Sequence, residues 1–167
     1  MLTALYNRKC GPMIMGSVTD YVLVEPTNMQ QVKDRQNHKS LLPRLVRTTN
    51  GEEYSSTFYL DAAISEEKVN DGYLIRANTG LSDKNGKELV GINPQIEYAL
   101  TENGLDVKVI RADGLKFVLP LIAGEVKVQS GKIEGSKEVF FLTGGFIAQE
   151  YTILPDESGN IRVSVEA

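Results

Sequence analysis

The segment Gln95-Ile-Glu-Tyr-Ala-Leu-Thr-Glu-Asn-Gly-Leu-Asp-Val-Lys-Val-Ile110 alternates apolar and polar residues on both sides of an Asn-Gly pair. Ile96, Tyr98 and Leu100 share one face of the first half, and Leu105, Val107 and Val109 share one face of the second. A period of two is the mark of a half-buried strand. Asn103-Gly104 suits a type I′ turn, which needs positive φ at both positions, so the segment predicts a β-hairpin. Pairing outward from that turn sets Leu100 opposite Val107 and Tyr98 opposite Val109, which puts both apolar sets on one face. A slip of one residue would turn one set to solvent.

The same procedure carries outward along the chain. Ser130-Gly131 predicts a second hairpin, with Val128 opposite Ile133 and Lys127 opposite Glu134. Asn85-Gly86 predicts a third, with Leu81 opposite Val90 and the like charges Asp83 and Glu88 opposed. Near the C-terminus, Glu150–Leu154 and Ile161–Val165 alternate on either side of the turn-rich Pro155–Asn160. Asp61–Val69 is long enough for about two helical turns, but Ile64 and Val69 form no apolar stripe along it. Asn28–His38 is polar, and Asn28–Pro43 is the longest stretch without a periodic pattern, where binding function tends to sit. The pattern predicts an all-β fold with little helix, an antiparallel β-sandwich of about ten strands. The 167 residues are expected to form one sandwich domain over 1–167. That domain is expected to be a fragment of a longer chain, because structured-looking sequence begins at once.

Composition narrows the class. Hydrophobic residues are 41% and charged residues 24%, which excludes a disordered tail, a collagen-like fibre and a disulfide-stapled miniprotein. A net charge of −4 argues against nucleic-acid binding, which needs a basic footprint. The most apolar stretch, Leu115–Ala123, is nine residues long with Lys116 inside it. A spanning helix needs about 20 apolar residues, so no membrane partner is expected. The basic pair Arg8-Lys9 follows the first apolar residues, the wrong order for a secretory signal.

Chemistry-bearing residues are sparse. His38 is the only histidine and a conceivable general base, though its neighbours Gln36, Asn37, Lys39 and Ser40 suit a solvated loop. Cys10, the only cysteine, has Arg8 and Lys9 beside it to favour a thiolate, but suits a small buried position near Gly11-Pro12 better. Glu52-Glu53, Glu66-Glu67 and Asp156-Glu157 stand beside turn residues and predict solvated edges rather than a paired acid and base. Asp83-Lys-Asn-Gly86 echoes the start of a calcium loop without its later ligands, so no cofactor is expected and calcium has only this weak support. Gly144-Gly145 lacks the helix that a phosphate loop requires and predicts a turn or bulge. Tyr98 and Tyr151 belong to alternating strands and are expected in or near the core, whereas Tyr6 and Tyr54 are expected to be freer. Trp is absent, which weakens a generic sugar-platform reading.

Tyr6-Asn-Arg8 with Gly11-Pro12, then Glu25-Pro-Thr-Asn28-Met-Gln30 and Leu115-Lys-Phe-Val-Leu-Pro120, resemble a known family. They resemble the β-sandwich portion that follows the helical toroid in heparinase II/III-like polysaccharide lyases and related bacterial carbohydrate-active proteins. The resemblance implies an all-β sandwich, a periplasmic or secreted parent and a polysaccharide substrate. The toroid that supplies most of the catalytic Tyr, His and Arg or Asn is absent from this chain, so no catalytic role carries over.

Three functions follow as expectations. The first is a non-catalytic accessory domain of a polysaccharide lyase-like protein, contacting polysaccharide or an adjacent domain. The alternatives are an autonomous carbohydrate-binding or adhesion module and a small β-barrel enzyme. The expected contact surface is Glu25–His38. Pro26 ends the strand Tyr21–Val24 there, and Asn28, Gln30, Arg35 and His38 offer groups that donate and accept hydrogen bonds; Tyr6 is added as a free aromatic.

Overall fold

The alternating segments become strands in a computed structural model that describes residues 3–4, 6–7, 11–12, 14–15, 22–23, 43–59, 61–69, 72–101, 104–121, 125–141 and 146–166. Eleven strands of four or more residues stand among them: β1 (Arg44–Thr49), β2 (Glu52–Ser55), β3 (Ala63–Val69), β4 (Gly72–Asn78), β5 (Gln95–Thr101), β6 (Gly104–Ile110), β7 (Lys116–Leu121), β8 (Glu125–Ser130), β9 (Lys132–Phe141), β10 (Phe146–Leu154) and β11 (Ile161–Glu166). No helix occurs among the described residues. Six strands form one antiparallel sheet in the order β8-β11-β6-β5-β4-β3, and five form the other in the order β9-β10-β7-β1-β2. Two-residue ladders precede them, joining Val22–Leu23 to Thr3–Ala4 and Ile14–Met15, and Tyr6–Asn7 to Gly11–Pro12.

The inner faces meet in one core. Ile75, Ile96, Tyr98, Leu105, Val107, Val109, Ile161, Val163 and Val165 come from the larger sheet. Leu45, Tyr54, Phe117, Leu119, Leu121 and Ile153 come from the smaller one. Each large side chain removed from water contributes about 1.5–3 kcal/mol, so this shared layer is what holds the sheets face to face. The sandwich is therefore observed. Tyr98 is fully buried and Tyr151 partly so, in line with their alternation, but Tyr54 lies in the core rather than free.

The hairpin β5–β6 forms, with a corrected register. Leu100 faces Leu105, Tyr98 faces Val107 and Ile96 faces Val109. The ladder closes at Thr101 and Gly104, so Gly104, at φ 145°, ends the ladder rather than forming the turn. The shift is two residues, which keeps every side chain on its face. The Asn85-Gly86 turn differs by one residue instead. Ser82 bridges Glu88, the Leu89 N–H donates to the Leu81 carbonyl, and Val90 is left 92% exposed. Asp83 explains the shift, because its Oδ1 accepts from the N–H groups of Asn85 and Lys87 and holds a three-residue loop.

Ser130-Gly131 is no hairpin. β8 pairs with β11 in the larger sheet and β9 with β10 in the smaller, so Gly131 is the corner between the sheets. At φ 102° it occupies backbone that favours glycine, and a Cβ there would strike the Leu154 carbonyl oxygen. The charges paired by the sequence reading find other partners, Lys127 with Glu166 and Glu134 with Lys116. Likewise β10 and β11, on either side of Pro155–Asn160, lie in opposite sheets.

The short helical reading of Asp61–Val69 also yields to the sheet. Ala63–Val69 pairs with β4 along its whole length, from Ala63 opposite Asn78 to Val69 opposite Gly72. With no apolar stripe a helix there had nothing to bury, whereas the strand gains a ladder. The Asn-Gly signature meets its ideal at Asn50-Gly51, which the sequence reading did not single out. Both residues have positive φ, 54° and 77°, and Thr49 faces Glu52 in a tight β1–β2 hairpin.

Candidate functional site

The outer face of the larger sheet is polar because the alternate positions of its strands are. Ser65, Arg76, Glu97, Lys108 and Arg162 stand opposite one another in a row across β3, β4, β5, β6 and β11. A second row carries Ala99, Asp106, Ser164 and Lys127. Several of these side chains have partners on the same face. The Arg76 Nε donates to Glu97 at 2.9 Å, Lys127 pairs with Glu166 at 2.9 Å, and Gln129 Nε2 donates to the Ser164 hydroxyl at 2.8 Å. The bond to Glu166 and that residue's charge raise the Lys127 ammonium above the ordinary lysine range. Lys108 and Arg162, directly opposite each other, are exposed and have no hydrogen bond or ion pair among the described residues.

The outer face of the smaller sheet is different. Val118 and Pro120 on β7 and Val139 on β9 are buried there, and the strand Ile14–Met15 lies against β7. Glu150, also buried, stands between Pro120 and Lys137 in the ladder. Its carboxylate meets Arg44 at 3.5 Å and Lys137 at 3.8 Å. The two cations compensate a charge that burial would otherwise disfavour.

A third polar group gathers where β2 leads towards β3. Ser56 Oγ accepts from the Leu45 N–H at 3.0 Å, and the Ser55 hydroxyl pairs with that of Thr57 at 2.8 Å. Ser55 and Ser82 exchange backbone hydrogen bonds, while the buried Ser82 hydroxyl has no partner. Tyr59 packs against Gly80, and burial, followed by the charges of Glu88 and Asp61, raises its phenol above the ordinary tyrosine range. These hydroxyls serve local turns and backbone, and no histidine stands among the described residues to activate one.

The carboxylate pairs behave as edges. Glu52 and Glu53 are exposed on the edge strand β2, and Glu67 is exposed on the edge strand β3. Asp156 accepts from the N–H groups of Ser158 and Asn160 and shapes the β10–β11 connection. No cluster of three or more His, Cys, Asp or Glu side chains suited to a metal ion occurs among the described residues. No helix among them is long and apolar enough to cross a membrane.

Of the candidates named from sequence, Asn28, Gln30, Arg35 and His38 lie outside the described residues, as does Cys10. Tyr6 is described only through its backbone, which pairs with Pro12. The feature that the sequence reading missed is the Lys108–Arg162 pair. Each residue is legible as a polar position in an alternating strand, but the pairing joins strands more than fifty residues apart. No local signal reports that.

The comparisons bear on the geometry from outside. The profile of the ulvan lyase C-terminal domain matches residues 1–147. A search of curated proteins and one of solved structures each return no match. The expected kinship with polysaccharide lyases therefore holds at the level of a lyase-associated domain, on a match that spans most of the sandwich. The chain belongs to the ulvan lyase C-terminal domain family.

Proposed function

We propose that this chain is a non-catalytic accessory domain of a polysaccharide lyase, contacting the polysaccharide or the neighbouring catalytic domain. The family match carries the reading, since the matched family is described as the C-terminal domain of a lyase. The arrangement of the described side chains supports it. Elimination from a uronate needs a base near the sugar and a cation to neutralise the carboxylate. The buried carboxylate Glu150 is already compensated by Arg44 and Lys137, Glu166 is paired with Lys127, and the carboxylate pairs read from the sequence lie at turns and edges.

The fold also offers surface for contact. β7 ends at Leu121 opposite Gln149, while β9 and β10 continue pairing to Phe141 opposite Phe146. Ile147 on that extension is 55% exposed, an apolar position of the kind that a neighbouring domain covers. A parent of the toroid-plus-sandwich, heparinase II/III-like kind, secreted or periplasmic, is the finer form of this proposal and accords with the resemblance of the N-terminal phrases.

The test is to incubate the purified chain with ulvan and a panel of glycosaminoglycans and follow the ultraviolet absorbance of unsaturated sugar ends. No product is expected. Steady product formation by the chain alone would replace the accessory reading with the enzyme reading.

A further inference from the structure

We propose that Lys108 and Arg162, on the outer face of the larger sheet, form a subsite for the uronate carboxylates of an acidic polysaccharide. The inference rests on the accessory reading above and adds to it a location and a ligand chemistry. It begins from a local imbalance. Like charges directly opposite each other on neighbouring strands destabilise the pair, because their Cβ atoms stand only about 4.5–5.5 Å apart. Every other cation in these rows avoids that situation: Arg76 is held by Glu97 and Lys127 by Glu166. Lys108 and Arg162 are cross-strand partners in a chain of net charge −4, yet no acid contacts either among the described residues.

Two of the acids around the pair are engaged elsewhere, and the third makes no contact with it. Glu97, opposite Lys108 on β5, accepts from Arg76. Glu166 is engaged by Lys127. Asp106 is exposed and stands two residues before Lys108, opposite Ser164. An anion placed between Lys108 and Arg162 removes their repulsion, and the Arg162 guanidinium presents a planar fork that matches a carboxylate. Ser164 and Gln129 stand beside the pair with a hydroxyl and an amide for sugar hydroxyls.

The scaffold suits the task. β6 and β11 are interior strands, each paired on both sides, so little order is lost when the site is filled. The open row of polar side chains accommodates a chain that continues in both directions. The substrate of a polysaccharide lyase carries carboxylates, because elimination needs a proton acidified by one. Two cations on an acidic protein are too few for a nucleic-acid backbone, which several phosphate contacts must hold.

The experiment is affinity electrophoresis of the whole chain through gels containing alginate, dextran sulfate or neutral dextran. Retardation by alginate is expected, with none by dextran. The double variant Lys108→Ser, Arg162→Ser should weaken alginate retardation at least about tenfold, the loss expected when a charge-assisted pair is removed. Its melting temperature should not fall, since both side chains are exposed and their mutual repulsion is removed. Lys84→Ser, which removes an exposed cation from the Asn85-Gly86 turn, should retain alginate binding, and Asp106→Asn should strengthen it. Equal retardation of the double variant, retardation only by dextran sulfate, or none of the wild type by alginate would each overturn the subsite. The accessory reading fails separately, on the appearance of unsaturated ends.

Discussion

The two sheets each carry an Arg–Glu pair on the outer face, and the two pairs live in different surroundings. On the larger sheet, Arg76 meets Glu97 at 2.9 Å with side chains 45% and 28% exposed. On the smaller sheet, Arg44 meets Glu150 at the longer distance of 3.5 Å with side chains 16% and 7% exposed. Geometry alone would rank the first as the stronger contact. Environment reverses the ranking, because water screens the exposed pair while burial leaves an unpaired carboxylate without solvation. The larger sheet thus has a solvated outer face, and the smaller sheet one with buried positions.

The largest effect should come from removing a cation on the outer face of the smaller sheet. Arg44→Ala leaves the buried Glu150, among the described residues, with the longer contact to Lys137, and should lower unfolding free energy by about 3 kcal/mol in urea titration. A loss below about 1 kcal/mol would mean that the face is wet and would end the contrast.

Between the two faces, the Tyr98 hydroxyl lies fully buried without a partner, and burial raises its phenol far above the ordinary range. Above pH 10, the ordinary tyrosine value, the unfolded chain releases a proton that the folded chain keeps, so stability falls as pH rises. Tyr59 and Lys127 are raised too and act in the same direction. For the buried Tyr98 the slope approaches about 1.4 kcal/mol per pH unit, and solvent screening keeps the other two contributions small. Tyr98→Phe should flatten that slope and raise stability at pH 7 by about 1 kcal/mol, as removing an unsatisfied buried group does. Thermal melts between pH 7 and 11 read both effects, and a destabilised Phe variant would show that the hydroxyl has a partner.

The smallest effect belongs to the wet face. Arg76→Ala should change stability by no more than about 0.5 kcal/mol, and less at high salt. A loss comparable to that of Arg44→Ala would place both pairs in one class.

The strands themselves were legible to different depths. Alternation in Gln95–Ile110 identified the β5–β6 hairpin and its buried face, yet a two-residue shift passed unseen because it leaves every side chain on the same face. At Asn85-Gly86 the shift was one residue, and Val90 shows its consequence by facing solvent. Ser130-Gly131 misled more deeply. A glycine turn between two apolar-patterned strands looks alike whether the chain folds back in one sheet or crosses to the other, and only the ladders to β10 and β11 separate the two. For the candidate site, Glu25–His38 was chosen by composition and lies outside the described residues. Lys108 and Arg162 were visible only as polar positions.

Period, turn residues and the lack of any amphipathic helical stripe were sufficient, from the chain alone, for an all-β protein whose alternating strands each present one apolar face. They act through neighbours two residues apart, and such neighbours are adjacent in sequence. Which sheet a strand joins, which outer face has buried positions, and which cations meet across β6 and β11 depend on pairings distant along the chain. Those pairings are selected by the shared core, where the inner faces of the two sheets must be buried together. No local stretch carries that condition, so the tertiary structure alone decided it.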